Sequence, residues 1–249
     1  MRLDFDPYSR KARLMPVLLV VFPIGLSIVA WFSGELSGWG TVIGLFTPFG
    51  LTPFLAQAGR DLGKQKEKLL FKMWGGKPTT RLLRHRDNTL NALTKARYHT
   101  KLQALLPDLM IPRAEQESED RDHADTVYDS CTNYLIEQTR KGEENHLITA
   151  ENINYGYRRN LWAMKPAGTV LAVGGLLCCF LKILYDARSG ELSMVPFAAA
   201  SVNAALTVWW SMRINPSWVH MAGEEYARRL LERCETLPGK RNISQIVAP

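Results

Sequence analysis

The chain has 249 residues, 46% of them apolar, and a formal net charge of +7. That apolar content excludes a disordered or collagen-like chain, and the length admits one large domain or two small ones. Four cysteines, with Cys178 and Cys179 adjacent and no CxxC or Cys/His spacing, exclude a disulfide framework and a zinc site, so no metal or cofactor is expected.

The apolar residues are concentrated in four runs, at residues 14–32, 38–58, 167–185 and 194–212, whose only charge is Lys182. Each is about twenty residues, the length a helix needs to cross a hydrocarbon core roughly 30 Å thick. The expected fold is therefore all-α: an integral membrane protein with four transmembrane helices, arranged as two hairpins flanking a cytoplasmic helical domain. Lys and Arg set the orientation. The segment 59–166 holds nineteen of them, whereas the connections 33–39 and 186–193 hold only Arg188. The positive-inside tendency places both termini and the middle segment in the cytoplasm. The expected domains are 1–58, a lead and first hairpin; 59–166, the helical domain; 167–212, the second hairpin; and 213–249, a tail helix.

In chain order, the first span has Pro16 in its opening turn, Pro23 farther in where a kink is expected, and Trp31 as an interfacial anchor. The pentapeptide SGELS follows at 33–37 and recurs at 189–193, which fits chance recurrence of turn-forming residues better than two hairpins of common design. The second span is the least regular. Thr47, Pro48, Gly50, Thr52 and Pro53 fall within seven residues, and broken backbone at membrane depth is tolerated only where protein or water covers it. Those five residues, with Asn203 in the middle of the fourth span, are the candidate pore or kink positions. Charge then rises without a break, so the second span can continue as a helix until Gly75 and Gly76 end it.

The segment 77–101 is basic, with Asp87 its only acid. Asn88 and Thr89 suit the cap of a helix over 90–106, with Leu93, Leu102 and Leu105 as its apolar stripe and Pro107 as its stop. Between residues 113 and 151 the charge inverts, to eleven acidic against four basic residues, and the two opposed blocks can pair. Ala124, Val127, Tyr128, Cys131, Tyr134 and Leu135 recur at three and four, predicting an amphipathic helix over 122–141. Farther on, Ile153, Tyr157 and Leu161 share a face, Arg158 and Arg159 fall at the membrane surface, Trp162 anchors there, and Pro166 suits the start of the third span. The tail predicts a helix capped by Asn215, with Trp218, Ala222, Tyr226 and Leu230 in one stripe.

His85, Arg86 and Asp87 spell the catalytic triplet of protein kinases, but the metal-binding Asn at its spacing, the glycine-rich loop, the strand lysine and the DFG are missing, and no enzyme is expected. What remains is a cluster of donors, Arg81, Arg84, His85 and Arg86, joined by Arg158 and Arg159 as candidate ligand- or partner-binding residues. Guanidinium forks suit phosphate, so a nucleotide, a nucleic acid, lipid headgroups or a cytosolic protein are the partners considered.

PTTRLLRHRD, TKARYH and ENINYGYRRN followed by KP resemble segments of bacterial multi-pass inner-membrane proteins to which no activity is attached. The layout also resembles the membrane effectors of bacterial anti-phage defence systems, a likeness of architecture alone. The Pro/Gly/Thr-rich second span, directly continuous with the basic segment, leads to the expected function: a homo-oligomer in the bacterial inner membrane, in contact with lipid, whose cytoplasmic domain senses a ligand or partner and gates or perturbs the membrane through that span. The alternative is a non-conducting scaffold that docks a cytosolic protein or nucleic-acid complex.

Overall fold

A computed structural model of the chain describes residues 9–32, 52–140 and 145–238. Among these the structure is all-helical, without a strand. A π-helical segment, Ser9–Leu14, leads into α1, Met15–Phe32. Then come α2, Thr52–Met73; α3, Pro78–Leu83; α4, Ala92–Leu105; α5, Ala114–Glu119; and α6, Arg121–Thr139. The chain closes with α7, His146–Ser189; α8, Met194–Met212; and α9, Pro216–Thr236. Thr47, Pro48, Gly50 and the first SGELS copy lie outside the described residues.

The chain divides into two compact units. The first joins residues 1–68 to 153–219 and the second joins 69–152 to 220–249.

Among the described residues, two helical stretches are long and apolar enough to cross a membrane: Arg10–Phe32, and α7 with its 44 residues. Only 22% of the most apolar window of α7 is buried, and its outward side chains include Val170, Leu177, Phe180 and Leu181. A core helix of a soluble protein would bury most of that surface. The fourth expected span forms the charge-free helix α8, but Asn203, Trp209, Trp210 and its hydroxyl residues bring it below the apolarity of the other two.

Within the first unit α7 and α8 run antiparallel, because contacts that advance along one recede along the other. Gly168 packs on Trp210, Gly175 on Asn203, and Cys179 on Ala199. Gly190, at φ 79°, makes the turn between them, and the Ser193 hydroxyl accepts from the Val195 amide to open α8. Trp31 donates to the Cys178 carbonyl at 3.2 Å, which ties α1 to α7.

Pro166 does not start a helix; it lies inside α7. A proline there removes one backbone bond. The packing of Asn160 before it and of Gly168 after it holds both halves in place, and tertiary contact overrides the local preference.

The second unit has its own core. Leu82 and Leu83 from α3, Tyr98, Leu102 and Leu105 from α4, Tyr128, Cys131 and Leu135 from α6, and Leu230, Leu231 and Cys234 from α9 are all buried in one cluster. The face expected on α6 is the one that is buried. On α4 the expectation needs correction. Its cap is Asn91, whose side chain accepts from the Thr94 amide at 2.7 Å, and Asp87 takes the Thr89 amide instead. The helix therefore starts two residues later than Leu90 and turns Leu93 outward, to 81% exposure.

Candidate functional site

The basic segment begins where α2 stops. Gly75 and Gly76 have φ of 74° and 136°, and the Gly76 amide reaches back to the Phe71 carbonyl at 2.8 Å, a closure that needs a residue at ease with positive φ. Pro78 then fixes the first turn of α3. This short helix carries Arg81 on one side, and its C-terminal end delivers Arg84, His85 and Arg86 in succession.

Arg84 is 9% exposed, which an always-charged guanidinium tolerates only with partners. Its Nε and Nη2 meet the two oxygens of Asp125 at 2.7 and 2.6 Å, a bidentate fork, and its Nη1 donates to the Gly75 carbonyl at 2.6 Å. Arg86 donates to Glu117 at 2.9 Å and lies 3.5 Å from Asp125. Lys77 pairs with Asp129 at 2.7 Å. Asp125 and Asp129 are one turn apart on α6, so the acidic helix face receives the basic segment along its length.

Glu117 is the centre of this lattice and is 2% exposed. Its carboxylate accepts from the His85 amide at 2.7 Å, the Arg86 amide at 3.3 Å, the Arg86 guanidinium and the Tyr128 hydroxyl at 2.8 Å. Burial alone would push its pKa up, but these donors outweigh it and hold the group below the ordinary value. Tyr128 is pushed up, by burial and by the hydrogen bond it gives Glu117.

Lys95 is 6% exposed, and its ammonium donates to the carbonyls of Arg84 and Asp87, fastening the loop after α3. Burial lowers its pKa, against the pull of Asp87 and Glu117. Beside it the rings of His85 and His99 meet edge to face at 4.7 Å, and His99 stacks on Tyr128 at 5.7 Å. The Nε2 atoms of His85 and His99 face the Pro112 and Leu83 carbonyls at 3.0 and 2.8 Å. A carbonyl only accepts, so both Nε2 atoms carry the proton. Burial lowers the pKa of His99, with the Leu83 carbonyl acting against it.

Arg81 turns the other way, toward Asp87 at 3.0 Å and Glu224 at 3.8 Å, and its Nη1 lies 3.1 Å from His220 Nε2. A guanidinium only donates, so that nitrogen accepts and His220 is neutral there. Its pKa is lowered by burial and by Arg81.

Two cavities of about 280 Å³ flank the lattice. One is lined by His85, Arg86, Glu117 and Arg121, the other by Lys77, Thr80, Arg84, Asp125 and Asp129. Thr80 is buried, and its hydroxyl has no partner among the described residues. Both cavities are small and edged by both signs of charge, which suits a small polar ligand better than a polyanion.

The structure thus brings Arg84, His85 and Arg86 together and directs Arg81 away from them. Arg158 and Arg159 belong to the first unit. Arg158 donates to the Trp218 carbonyl at 2.9 Å and lies 4.9 Å over its ring. Arg159 pairs with Glu67 at 2.8 Å, and Tyr155 reaches the same carboxylate at 2.7 Å. Thr52 opens α2 with Pro53 next. Asn203 is fully buried, with its Nδ2 at 3.7 Å from Cys179 Sγ.

Sequence reasoning missed Glu117, Lys95 and Asp125, the three residues on which the lattice turns. Their only signal was the opposition of the two charge blocks, which does not single out positions. Comparison with protein-family models, curated proteins and solved structures finds no match to this chain.

Proposed function

We propose that the chain is an oligomeric inner-membrane protein whose first unit crosses the bilayer and whose second unit senses a small ligand or partner and gates or perturbs the membrane, as an effector does. The observation that carries this reading is the outward apolar surface of α7, with Phe180 and Leu181 at 54% and 58% exposure in a helix long enough to span. Water would not tolerate a surface of that extent on a monomer. The sensing half rests on the charged lattice and its two cavities, which occupy a unit with a core of its own. Asn203 suits a helix–helix contact, since an amide buried at that depth is held by a neighbouring helix.

The alternative is a non-conducting scaffold that docks a cytosolic protein or nucleic-acid complex on the basic segment, and its nucleic-acid form has less support. Lys77, Arg84 and Arg86 are already bound to Asp129, Asp125 and Glu117, so a phosphate backbone would have to displace three carboxylates.

Expression in a bacterial host tests both halves. The protein is expected to stay in the membrane pellet after alkaline carbonate extraction, and graded expression is expected to admit an impermeant dye or depolarise the cells. Recovery in the soluble fraction would overturn the membrane reading. Retention in the pellet with unchanged permeability at every expression level would overturn the gating.

A further inference from the structure

At one end of the first unit a buried amide joins the segment before α1 to α7. Asn160, 1% exposed on α7, donates to the Ala12 carbonyl in the π-helical segment at 2.8 Å. Its oxygen lies where a side chain on Gly63 would sit, so α2 approaches α7 as closely as backbone allows. Three segments distant in sequence therefore meet at the end of α1, the stretch apolar enough to cross a membrane.

The cations around this point fall into two groups. Lys66 donates to the Ala163 carbonyl and lies 5.9 Å over the Trp162 ring; Arg213 lies 5.6 Å over Trp218; Lys165 donates to the Ser211 and Ile214 carbonyls. Lys66 and Lys165 are satisfied by backbone carbonyls and Arg213 lies over an indole, and Trp162 and Trp218 are of the kind that settles at headgroup level.

Arg10, Lys11, Arg60, Lys64 and Lys68 form the second group. They have no hydrogen bond or ion pair among the described residues, and four of them are exposed, with Arg60 half-buried. Arg60, Lys64 and Lys68 stand one turn apart along one face of α2, about 6 Å from one to the next. Of the acids beside them, Glu67 is paired with Arg159, whereas Asp61 keeps its charge, with only the Gln57 amide near it at 3.5 Å.

We propose that this end of the unit binds the phosphates of anionic glycerophospholipids, with Arg60, Lys64 and Lys68 as the principal contacts and Arg10 and Lys11 beside them. The inference rests on the first unit lying in a bilayer. Paired cations and indoles fix the depth of the unit, and the unpaired row faces the layer where lipid phosphates lie. Several cations at one-turn spacing need several negative charges, so the row discriminates an anionic leaflet from a zwitterionic one.

The test uses the full chain in neutral detergent, titrated with short-chain phosphatidylglycerol, with phosphatidylcholine of the same chain length and with inorganic phosphate, read by calorimetry and thermal melting. Phosphatidylglycerol is expected to bind saturably and raise the melting temperature, with affinity falling as salt rises. The Arg60→Gln/Lys64→Gln variant, expected to melt like the native chain without lipid, is expected to bind at least about tenfold more weakly. Should it fold poorly, Lys68→Gln with Lys11→Gln serves in its place. Equal binding of phosphatidylcholine, equal binding of free phosphate, or an unchanged affinity in the variants would overturn the proposal. A chain soluble without detergent would instead sink the membrane reading beneath it.

Discussion

Replacing Glu117 by Gln keeps its shape and removes its charge. The carboxylate accepts through both oxygens, from two backbone amides, a guanidinium and a phenol. A glutamine offers one accepting oxygen, and its amide must point a donor at two donors whichever way it turns. Each buried donor left without an acceptor costs about 1–3 kcal/mol, and Arg86 also loses its ion partner, so the total is about 3–5 kcal/mol. Asp129→Asn, which removes a half-exposed partner of Lys77, should cost about 1 kcal/mol or less. Cys131 and Cys234 report the difference, since both are buried in the core of the same unit and burial pushes their thiols up to about 11 and about 12. At neutral pH a bulky maleimide reaches them only when the unit opens. A loss of 3 kcal/mol raises that open fraction by roughly 100-fold. Labelling of Glu117→Gln should accelerate by about that factor or more, and of Asp129→Asn by less than about tenfold. Equal rates in the two variants would refute the assignment of Glu117 as the node of the lattice.

Acid should loosen the second unit in two stages. His99, Asp87 and Glu117 all have folded pKa values below their ordinary ones, so each contributes stability that is present above its unfolded value and lost as pH falls through the folded value. The first stage begins below the ordinary histidine value of 6.5 and the second below the carboxylate values of 3.8 and 4.5. His99→Gln keeps an N–H for the Leu83 carbonyl and should flatten melting temperature against pH in the first stage; an undiminished slope would count against the burial argument. In the first unit, Gly168→Ala drives a methyl into the buried Trp210 ring and should cost about 1–3 kcal/mol, whereas Gly174→Ala meets open space and should be neutral or stabilising in the same melt. Arg84→Lys gives up the fork to Asp125 and the bond to Gly75, and should speed thiol labelling of Cys131 more than Lys77→Gln does.

What could be read from the sequence was whatever is written locally. The face of α6 from Ala124 to Leu135 follows from helical spacing, and the end of α2 from two glycines and a proline. The start of α4 was misread because Asn88, Thr89 and Asn91 can all cap; the choice went to Asn91 once Asp87 had taken the Thr89 amide. Pro166 reads as a boundary in any local view, and only the packing on either side of it keeps α7 whole. Lys95 and Glu117 were invisible for a different reason. One stands in a run of basic residues and the other in a run of acids, and burial separates each from its neighbours through partners 8 to 32 residues away. Asn160, which joins Ala12 to Gly63, had no signal beyond being polar beside two arginines.

The pairing of α7 with α8 sets large against small at two levels, Trp210 on Gly168 and Asn203 on Gly175. Like the wards of a lock, these steps admit one register. A slide of α8 that takes Trp210 off Gly168 meets no second glycine on that face of α7 until Gly175, seven residues and about 10.5 Å away. The pair can tilt or separate, but a graded slide along the common axis is closed to it.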